Sequence, residues 1–256
     1  MSGMHYYFDI GNTRLKAWAC DAQGRMLASC ALGHEQGWDE VLAQLGEGFA
    51  APAEFVGIAS VLRAEVNQDL ADACQARWGA VPRFARTQAV TAGVRCAYAE
   101  PERLGVDRWL AVLAVADGAH AYCAVDCGTA TTIDMVSAGR EHLGGFILPG
   151  LGMLADSLTR NTQRVRVTEE LAPGLGFGRS TSEAVINGAL LATVGAIEEA
   201  MRRLRGLVGG EPRLVLTGGD APLIAAWLSS PHSVDPELLL TGLQRYFASA
   251  DIKSPE

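Results

Sequence analysis

Two segments of the 256-residue chain place an aspartate, a glycine and polar side chains directly after an apolar run. The first runs from Asp9 to Lys16 with the sequence DIGNTRLK and begins within an apolar run at 6–10. A glycine at a strand end lets backbone N–H groups approach phosphate oxygens, while Asn12 and Thr13 add donors and Lys16 supplies a point charge. Asp9 is suited to orient Mg²⁺ through its water ligands. The alternative is an ordinary hairpin with an Asn-Thr turn.

The second segment runs from Asp126 to Asp134 with the sequence DCGTATTID. Small and hydroxyl residues after its glycine keep the backbone open to a ligand, and its two aspartates are candidate cation ligands. The plainer interpretation is a threonine-rich strand, because threonine favours strands. A glycine turn at 217–221, with the sequence TGGDA, suits a flat base lying against the backbone. Two acidic glycine loops predict a clamp on a polyphosphate more specifically than either loop alone.

A different chemistry is indicated at Asp107, which lies in the sequence LGVDR at 104–108. Asp107 is a candidate general base for a hydroxyl group, and the adjacent Arg108 suits the carboxylate of an acidic substrate. The alternative is that Asp107 only stabilises the first turn of a helix. No lysine lies in a G-x-x-x-x-G-K-[ST] sequence, which excludes a P-loop, and the glycines at 173–178 are wrongly spaced for a dinucleotide loop.

The elements that must position these residues recur along the chain. Apolar strands predicted at 6–10 and 121–126 both end in an aspartate and a tight glycine turn. Further strands are predicted at 14–20, 25–31, 54–60, 131–136 and 213–217, helices at 38–49, 65–78, 105–119, 181–207 and 235–249, and a glycine- and proline-rich turn at 144–150. Strands followed by helices, twice, predict an α/β protein with two similar lobes, at 1–118 and 119–256.

The overall composition favours a soluble, cytoplasmic protein. The net charge is −8 and the pI about 5.2, which argues against electrostatic binding to nucleic acid or to an anionic membrane. The longest apolar stretch, at 188–197, is too short to span a bilayer, and the first residues show no signal-peptide pattern. The six cysteines include no CxxC pair, which indicates reduced thiols.

Taken in order, these motifs resemble the type III pantothenate kinases, members of the acetate and sugar kinase, Hsp70 and actin superfamily that begin coenzyme A synthesis. The resemblance extends from Asp9 to Leu243. It rests on DxGNT at 9–13, Tyr98 with Pro101, GxDR at 105–108, DxGTATTxD at 126–134, GGFILPG at 144–150, Thr181 after Arg179, TGGDA at 217–221 and PELLLTGL at 236–243.

The resemblance implies a kinase that uses ATP to convert pantothenate to 4′-phosphopantothenate. The implied fold is a duplicated ribonuclease-H-like, actin-like ATPase fold with a nucleotide cleft between its lobes. The implied ATP contacts are Asp9, Ile10, Gly11, Asn12, Thr13, Arg14, Leu15, Lys16 and Thr129. The implied pantothenate contacts are Tyr98, Gly105, Val106, Asp107, Arg108 and Thr181, with Asp107 as the general base. Asp126 resembles the ligand of a monovalent cation, K⁺ or NH₄⁺, and Mg²⁺ would accompany ATP.

The resemblance also implies a homodimer in which Thr181 reaches the substrate across the interface. Small residues recur at steps of three and four after Thr181, at Ala184, Gly188, Ala192 and Gly195. Such a stripe permits close approach of another helix, either within the chain or from a second copy.

Two other functions stay open at this point. One is a non-enzymatic accessory protein that keeps the fold, and the intact set of catalytic residues argues against it. The other is a sugar or acetate kinase of the same superfamily, against which Tyr98, Arg108 and Thr181 argue because they match the pantothenate kinase pattern.

Overall fold

The computed structural model describes residues 3–161 and 172–249. Within them the chain forms two compact units whose segments interleave along the sequence. Unit 1 contains 3–93, 98–114 and 239–249, and unit 2 contains 94–97, 115–161 and 172–238. These units differ from the predicted lobes, 1–118 and 119–256, mainly in the C-terminal stretch, which belongs to unit 1.

Unit 1 is built on one five-stranded sheet. Its strands are β1 (Met4–Ile10), β2 (Arg14–Cys20), β3 (Met26–Gly33), β4 (Ala53–Ser60) and β5 (Arg83–Phe84). The strand order is β3-β2-β1-β4-β5, with antiparallel pairing among β1, β2 and β3 and parallel pairing of β4 and β5. The elements that follow in the chain are α1 (Trp38–Ala43), α2 (Ala64–Trp78), the short strands β6 (Val90–Thr91) and β7 (Val94–Arg95), and α3 (Val106–Val115).

Alternate residues of β1 form the core of unit 1. Tyr6, Phe8 and Ile10 are fully buried in one cluster with α1 and α2. The Phe8 ring stacks on Trp78, with 5.6 Å between the ring centroids. Each such side chain contributes about 1.5–3 kcal/mol through burial. Because side chains alternate along a strand, this packing directs Asp9 to the opposite face of the sheet.

Unit 2 repeats this architecture. Its strands are β8 (Tyr122–Cys127), β9 (Ala130–Val136), β10 (His142–Pro149), β11 (Arg213–Thr217) and β12 (His232–Val234), in the order β10-β9-β8-β11-β12. The first three again pair antiparallel and the last two parallel. Its helices are α4 (Leu151–Asn161), α5 (Thr181–Leu207) and α6 (Ala221–Ala225). The identical strand order and directions confirm the predicted duplicated α/β fold.

Helix α5 is the longest element among the described residues and packs one face into unit 2. At its start the Ser180 hydroxyl accepts from the Glu183 N–H at 3.2 Å, and the Glu183 carboxylate accepts from the Arg179 N–H at 2.6 Å, which is close to a capping box. Leu190 and Ile197 are fully buried in the core. The helix is long and apolar enough to cross a membrane, but this one-sided burial is that of a core helix in a soluble protein.

The last helix, α7 (Leu238–Ala248), explains why the C-terminal stretch belongs to unit 1. Gly242 lies so close to the Leu110 carbonyl of α3 that no Cβ fits between them. The Gln244 side-chain amide donates to the carbonyl of Gly24, in the β2–β3 turn, at 2.7 Å. These contacts join residues more than a hundred positions apart, so local patterns could not predict them.

Several predicted boundaries are wrong. Residues 144–149 of the predicted 144–150 turn lie in β10, which is an edge strand where glycine and proline are tolerated. Gly144 has a φ of +95° next to an irregularity in the β9–β10 pairing. The predicted helices also extend past their observed ends: 38–49 ends at Ala43, 105–119 ends at Val115, and 235–249 begins at Leu238.

Candidate active site

The first phosphate-loop candidate is a tight hairpin between β1 and β2. Asp9 and Lys16 pair directly across the two strands, so their side chains lie on one face of the sheet. The Gly11 N–H donates to the Arg14 carbonyl at 3.0 Å, which closes the turn. The two residues between Gly11 and Arg14 are exposed at the tip of the hairpin. The hairpin therefore presents polar backbone and side-chain groups to a ligand, beside the cations of Arg14 and Lys16 and the carboxylate of Asp9.

The side chains of two residues of this motif pack into the core and anchor the hairpin. Ile10 and Leu15 pair across the strands and are both fully buried. A third anchor comes from outside the motif, because His34 Nε2 donates to the Gly11 carbonyl at 2.8 Å. A carbonyl can only accept, so Nε2 carries the hydrogen. No pattern in the sequence indicates this contact, because His34 lies 23 residues from Gly11.

Asp107 lies in the first turn of α3, as the sequence predicted. One of its carboxylate oxygens accepts from the Arg108 N–H at 2.8 Å. The same oxygen lies against Gly105, where an added Cβ would collide with it. The carboxylate is half-buried, and the preceding Val106 is buried. A side chain at position 105 would therefore displace the carboxylate of the candidate base.

Arg108 and Tyr98, ten residues apart, are brought together beside this aspartate. Arg108 is only 5% exposed, and its Nη1 donates to the Tyr98 hydroxyl at 3.1 Å. Its guanidinium carbon lies 6.0 Å from the centre of the Tyr98 ring. A guanidinium is costly to bury unless its N–H groups are hydrogen-bonded, so this contact with Tyr98 helps to hold Arg108 in the interior. The adjacent Trp109 is fully buried and donates to the Thr91 hydroxyl at 3.3 Å, so it packs α3 in place.

In unit 2, oxygen atoms gather around Asp126 at the end of β8. Thr217 lies opposite Asp126 on the neighbouring strand β11, and among the described residues its buried hydroxyl has no hydrogen-bond partner. Gly218, with a φ of +95°, lies against the Asp126 carboxylate and the Cys127 carbonyl, so a residue with a Cβ would not fit. Carboxylate, carbonyl and hydroxyl oxygens are the ligands that hard cations prefer.

The second loop, between β8 and β9, is fixed at its tip by backbone contacts. Thr129 is exposed, and its carbonyl accepts from the Gly150 N–H at 3.0 Å. Gly150 lies so close to the carbonyls of Gly128 and Thr129 that a Cβ would not fit. Burial, together with the charges of Asp126 and Asp220, raises the pKa of Cys127 to about 12. Cys127 therefore stays a thiol and packs in the core.

The second aspartate of this segment has a different role from the one predicted. Asp134 is 1% exposed, and its Oδ1 is 3.0 Å from Nε2 of the equally buried His142. This pair joins β9 to β10 inside unit 2, so Asp134 is part of an internal hydrogen bond and not an open cation ligand. Across 3–161 and 172–249, no group of three or more His, Cys, Asp or Glu residues is arranged to hold a metal ion.

Thr181 is the first residue of α5 and is exposed. The small residues predicted to form a stripe behind it are exposed as well: Ala184, Gly188, Ala192 and Gly195. A Cβ placed on Gly188 or Gly195 would meet no atom of the described residues within 4 Å. Within this part of the chain, the face of α5 that includes Thr181 is therefore open, opposite the face that packs in the core.

Comparison with known proteins finds a matching family model and similar proteins of the same description. The family model described as type III pantothenate kinase matches residues 6–203. A type III pantothenate kinase from Acinetobacter baumannii is 40% identical over 245 residues, which cover 94% of this chain and 96% of that protein. One from Psychrobacter cryohalolentis is 36% identical over 242 residues, with coverage of 94% and 97%.

Solved structures with similar backbones are more distant in sequence. A Campylobacter jejuni protein described as a Baf family transcriptional activator has a TM-score of 0.62 at 21% identity, covering 94% of this chain and 96% of that chain. The activator of 2-hydroxyisocaproyl-CoA dehydratase from Clostridium difficile, solved with bound ADPNP, has a TM-score of 0.52 at 13% identity, with coverage of 95% and 92%. At these identities the two similarities show the fold alone.

Proposed function

Because the chain belongs to the type III pantothenate kinase family, we propose that it transfers the γ-phosphoryl group of ATP to the primary hydroxyl of pantothenate. The product is 4′-phosphopantothenate, and the reaction is the first step of coenzyme A biosynthesis. The observation that carries this proposal is the 40% identity to a type III pantothenate kinase over 94% of the chain.

The acceptor side of the reaction is assigned to α3. Asp107 takes the proton from the pantothenate hydroxyl while that oxygen bonds to the γ-phosphorus and the bond to the β–γ bridging oxygen breaks, releasing ADP. Arg108 binds the substrate carboxylate, and Tyr98 holds the guanidinium in place. Gly105 and Val106 complete this part of the substrate pocket. The position of Arg108 next to Asp107, with its guanidinium oriented by Tyr98, supports this assignment, since a guanidinium matches the geometry of a carboxylate.

The donor side is assigned to the hairpin from Asp9 to Lys16. Its exposed tip offers donors to the phosphate oxygens of ATP, and Lys16 neutralises charge on the transferred group. Asp9, on the same face as Lys16, is the residue that would hold the Mg²⁺ that accompanies ATP, and this ion would offset the charge of the phosphates. Thr129, exposed at the tip of the second loop, also contacts ATP.

The residues around Asp126 fit a monovalent cation. The carboxylate of Asp126, the carbonyl of Cys127 and the buried hydroxyl of Thr217 supply oxygen ligands for K⁺ or NH₄⁺. When bound, such a cation would offset phosphate charge during transfer. Replacement of Gly218 by alanine would crowd the same oxygens.

The open face of α5 suits a second copy of the chain. The small residues from Ala184 to Gly195 let another helix approach closely. We propose that Thr181 then reaches the substrate of the partner subunit. We also propose a cytoplasmic location, which the membership in a family of coenzyme A synthesis supports.

One assay tests the proposed function. Purified protein is incubated with ATP, Mg²⁺ and K⁺ and with pantothenate, glycerol, acetate or a hexose, and ADP release is measured with identification of the product by mass spectrometry. We expect phosphorylation of pantothenate alone. Transfer to a hexose or to acetate would assign the chain to another kinase of the superfamily, and no transfer to any acceptor would favour an accessory protein.

A further inference from the structure

We propose that His34 is a positioning residue for the nucleotide, a role that rests on the proposed function of the Asp9–Lys16 hairpin. His34 follows the last residue of β3, and its Nε2 donates to the Gly11 carbonyl at 2.8 Å. The imidazole holds the Gly11–Asn12 peptide in one orientation, so that the Asn12 N–H faces the phosphates of ATP.

The orientation follows from the geometry of the peptide bond. The C=O and the N–H of a trans peptide point in opposite directions in one plane. Because the Gly11 carbonyl points at His34, the Asn12 N–H points away from it. The Gly11 N–H is already used within the turn, since it donates to Arg14. The Asn12 N–H is therefore the backbone donor whose direction His34 sets.

The His34 ring is held in place by packing against a neighbouring aromatic ring. Its ring stacks on Trp38 of α1, with 5.4 Å between the ring centroids and 25° between the ring planes. Trp38 packs against the core cluster that contains Tyr6 and Phe8. The carbonyl of Gly11, a residue with unusual backbone freedom, is thus tied through two aromatic rings to the fixed interior of unit 1.

The contact with the Gly11 carbonyl requires His34 to donate a hydrogen bond, and His34 does not act as a base in it. The neutral ring with its hydrogen on Nε2 and the imidazolium both donate to a carbonyl, whereas the other neutral tautomer cannot. Preorganised donors strengthen phosphate binding because less ordering remains for the moment of binding. Loss of the His34 donor should therefore weaken nucleotide binding and leave pantothenate binding intact.

The experiment compares His34→Phe with His34→Gln. Phenylalanine keeps a flat ring that can stack on Trp38 but cannot donate, while glutamine restores an N–H donor near the same position. The matched control is His5→Phe, since the His5 ring also packs on an aromatic ring, that of Phe55 at 5.7 Å, but lies outside the hairpin. The readouts are the Kd of Mg²⁺·AMPPNP by calorimetry, the KM for ATP, the KM for pantothenate and kcat.

The expected result is selective for the nucleotide. His34→Phe should raise both the Kd of AMPPNP and the KM for ATP by about threefold to tenfold, the effect of one lost hydrogen bond. The KM for pantothenate should stay within about twofold, and His34→Gln should recover most of the affinity. Amide exchange in the peptide that contains 10–16 should be faster in His34→Phe than in His5→Phe.

Other results overturn the inference. Unchanged AMPPNP affinity in His34→Phe would refute it, as would an equal loss in His5→Phe. If His34→Phe does not fold, His34→Gln and the shorter His34→Asn repeat the comparison, and equal affinity in those two refutes it. If the wild type binds AMPPNP but phosphorylates no pantothenate, the proposed function fails while the binding ratios still decide the role of His34. If the wild type does not bind AMPPNP, both proposals fall.

Discussion

Replacement of Arg108 by glutamine tests how the enzyme recognises the acidic end of its substrate. The guanidinium is buried and donates to the Tyr98 hydroxyl through Nη1, and the proposed function adds one charge-assisted hydrogen bond from it to the carboxylate of pantothenate. Such a bond is worth about 1.5–3 kcal/mol. At 1.36 kcal/mol for each factor of ten, Arg108→Gln should lower kcat/KM for pantothenate by about 10- to 150-fold.

The assay uses a second substrate to separate recognition from folding. In a pantothenate analogue whose carboxylate is replaced by CH₂OH, the reacting hydroxyl is kept but the partner of Arg108 is lost. Wild-type enzyme should prefer pantothenate by the same factor of about 10 to 150, and Arg108→Gln should treat both substrates alike. Tyr98→Phe, which removes one hydrogen bond to the guanidinium, should cost only about fivefold. Arg103→Gln, at a largely exposed arginine nearby, is the matched control.

Two outcomes would refute this reasoning. If Arg108→Gln lowered kcat/KM equally for both substrates, Arg108 would support the fold of the pocket without binding the carboxylate. If the wild type did not discriminate between the substrates, the carboxylate would be bound elsewhere or not at all. The KM for ATP should stay unchanged in every variant, because the phosphates are assigned to a different segment.

Four further predictions concern catalysis, pH and assembly. Asp107→Asn should lower kcat by on the order of 10²-fold or more, the scale of a general base, and near wild-type turnover would remove it from that role. Lys16→Ala should lower kcat at least as much, because the loose transition state depends on charge neutralisation, as single-turnover rates would show. Hydrogen bonds from His120, Tyr122 and two backbone N–H groups outweigh the effect of burial and hold the pKa of Asp117 well below its ordinary value of 3.8. Asp117→Asn should therefore destabilise the fold above that pH, with the difference shrinking as the pH falls below it, as urea midpoints measured against pH would show. Gly188→Leu should shift a dimer toward monomer in sedimentation analysis while leaving the fold intact, and an unchanged dimer would place the interface elsewhere.

The duplicated fold and the family could be predicted because both are indicated by short, local sequence patterns. The strand, aspartate and glycine turn that begins at Phe8 and again at Val125 marks the first strand of each sheet, and the matching strand orders confirm the duplication. The family match over residues 6–203 confirms the resemblance that the ordered motifs indicated. The roles of the individual site residues stay predictions until the variants are measured.

Local patterns failed where distant residues decide the structure. The glycines near Gly144 look like a turn, but β10 pairs along one side with β9 and tolerates them as an edge strand. The position of α7 depends on the fit of Gly242 against Leu110, far away in the sequence. The contact of His34 with Gly11 likewise needs β3 to bring a loop residue back to the hairpin.

Asp126 and Asp134 show why a motif specifies residue types more reliably than roles. Both belong to one nine-residue segment, and either carboxylate could bind a cation. Asp126 is the penultimate residue of β8, where Gly218 and Thr217 bring a backbone without a side chain and a buried hydroxyl beside it. Asp134 instead lies well inside β9, next to the strand that carries His142, and the two side chains bond to each other in the interior. The two aspartates differ because the pairing of the sheet places Thr217 of β11 beside Asp126 and His142 of β10 beside Asp134.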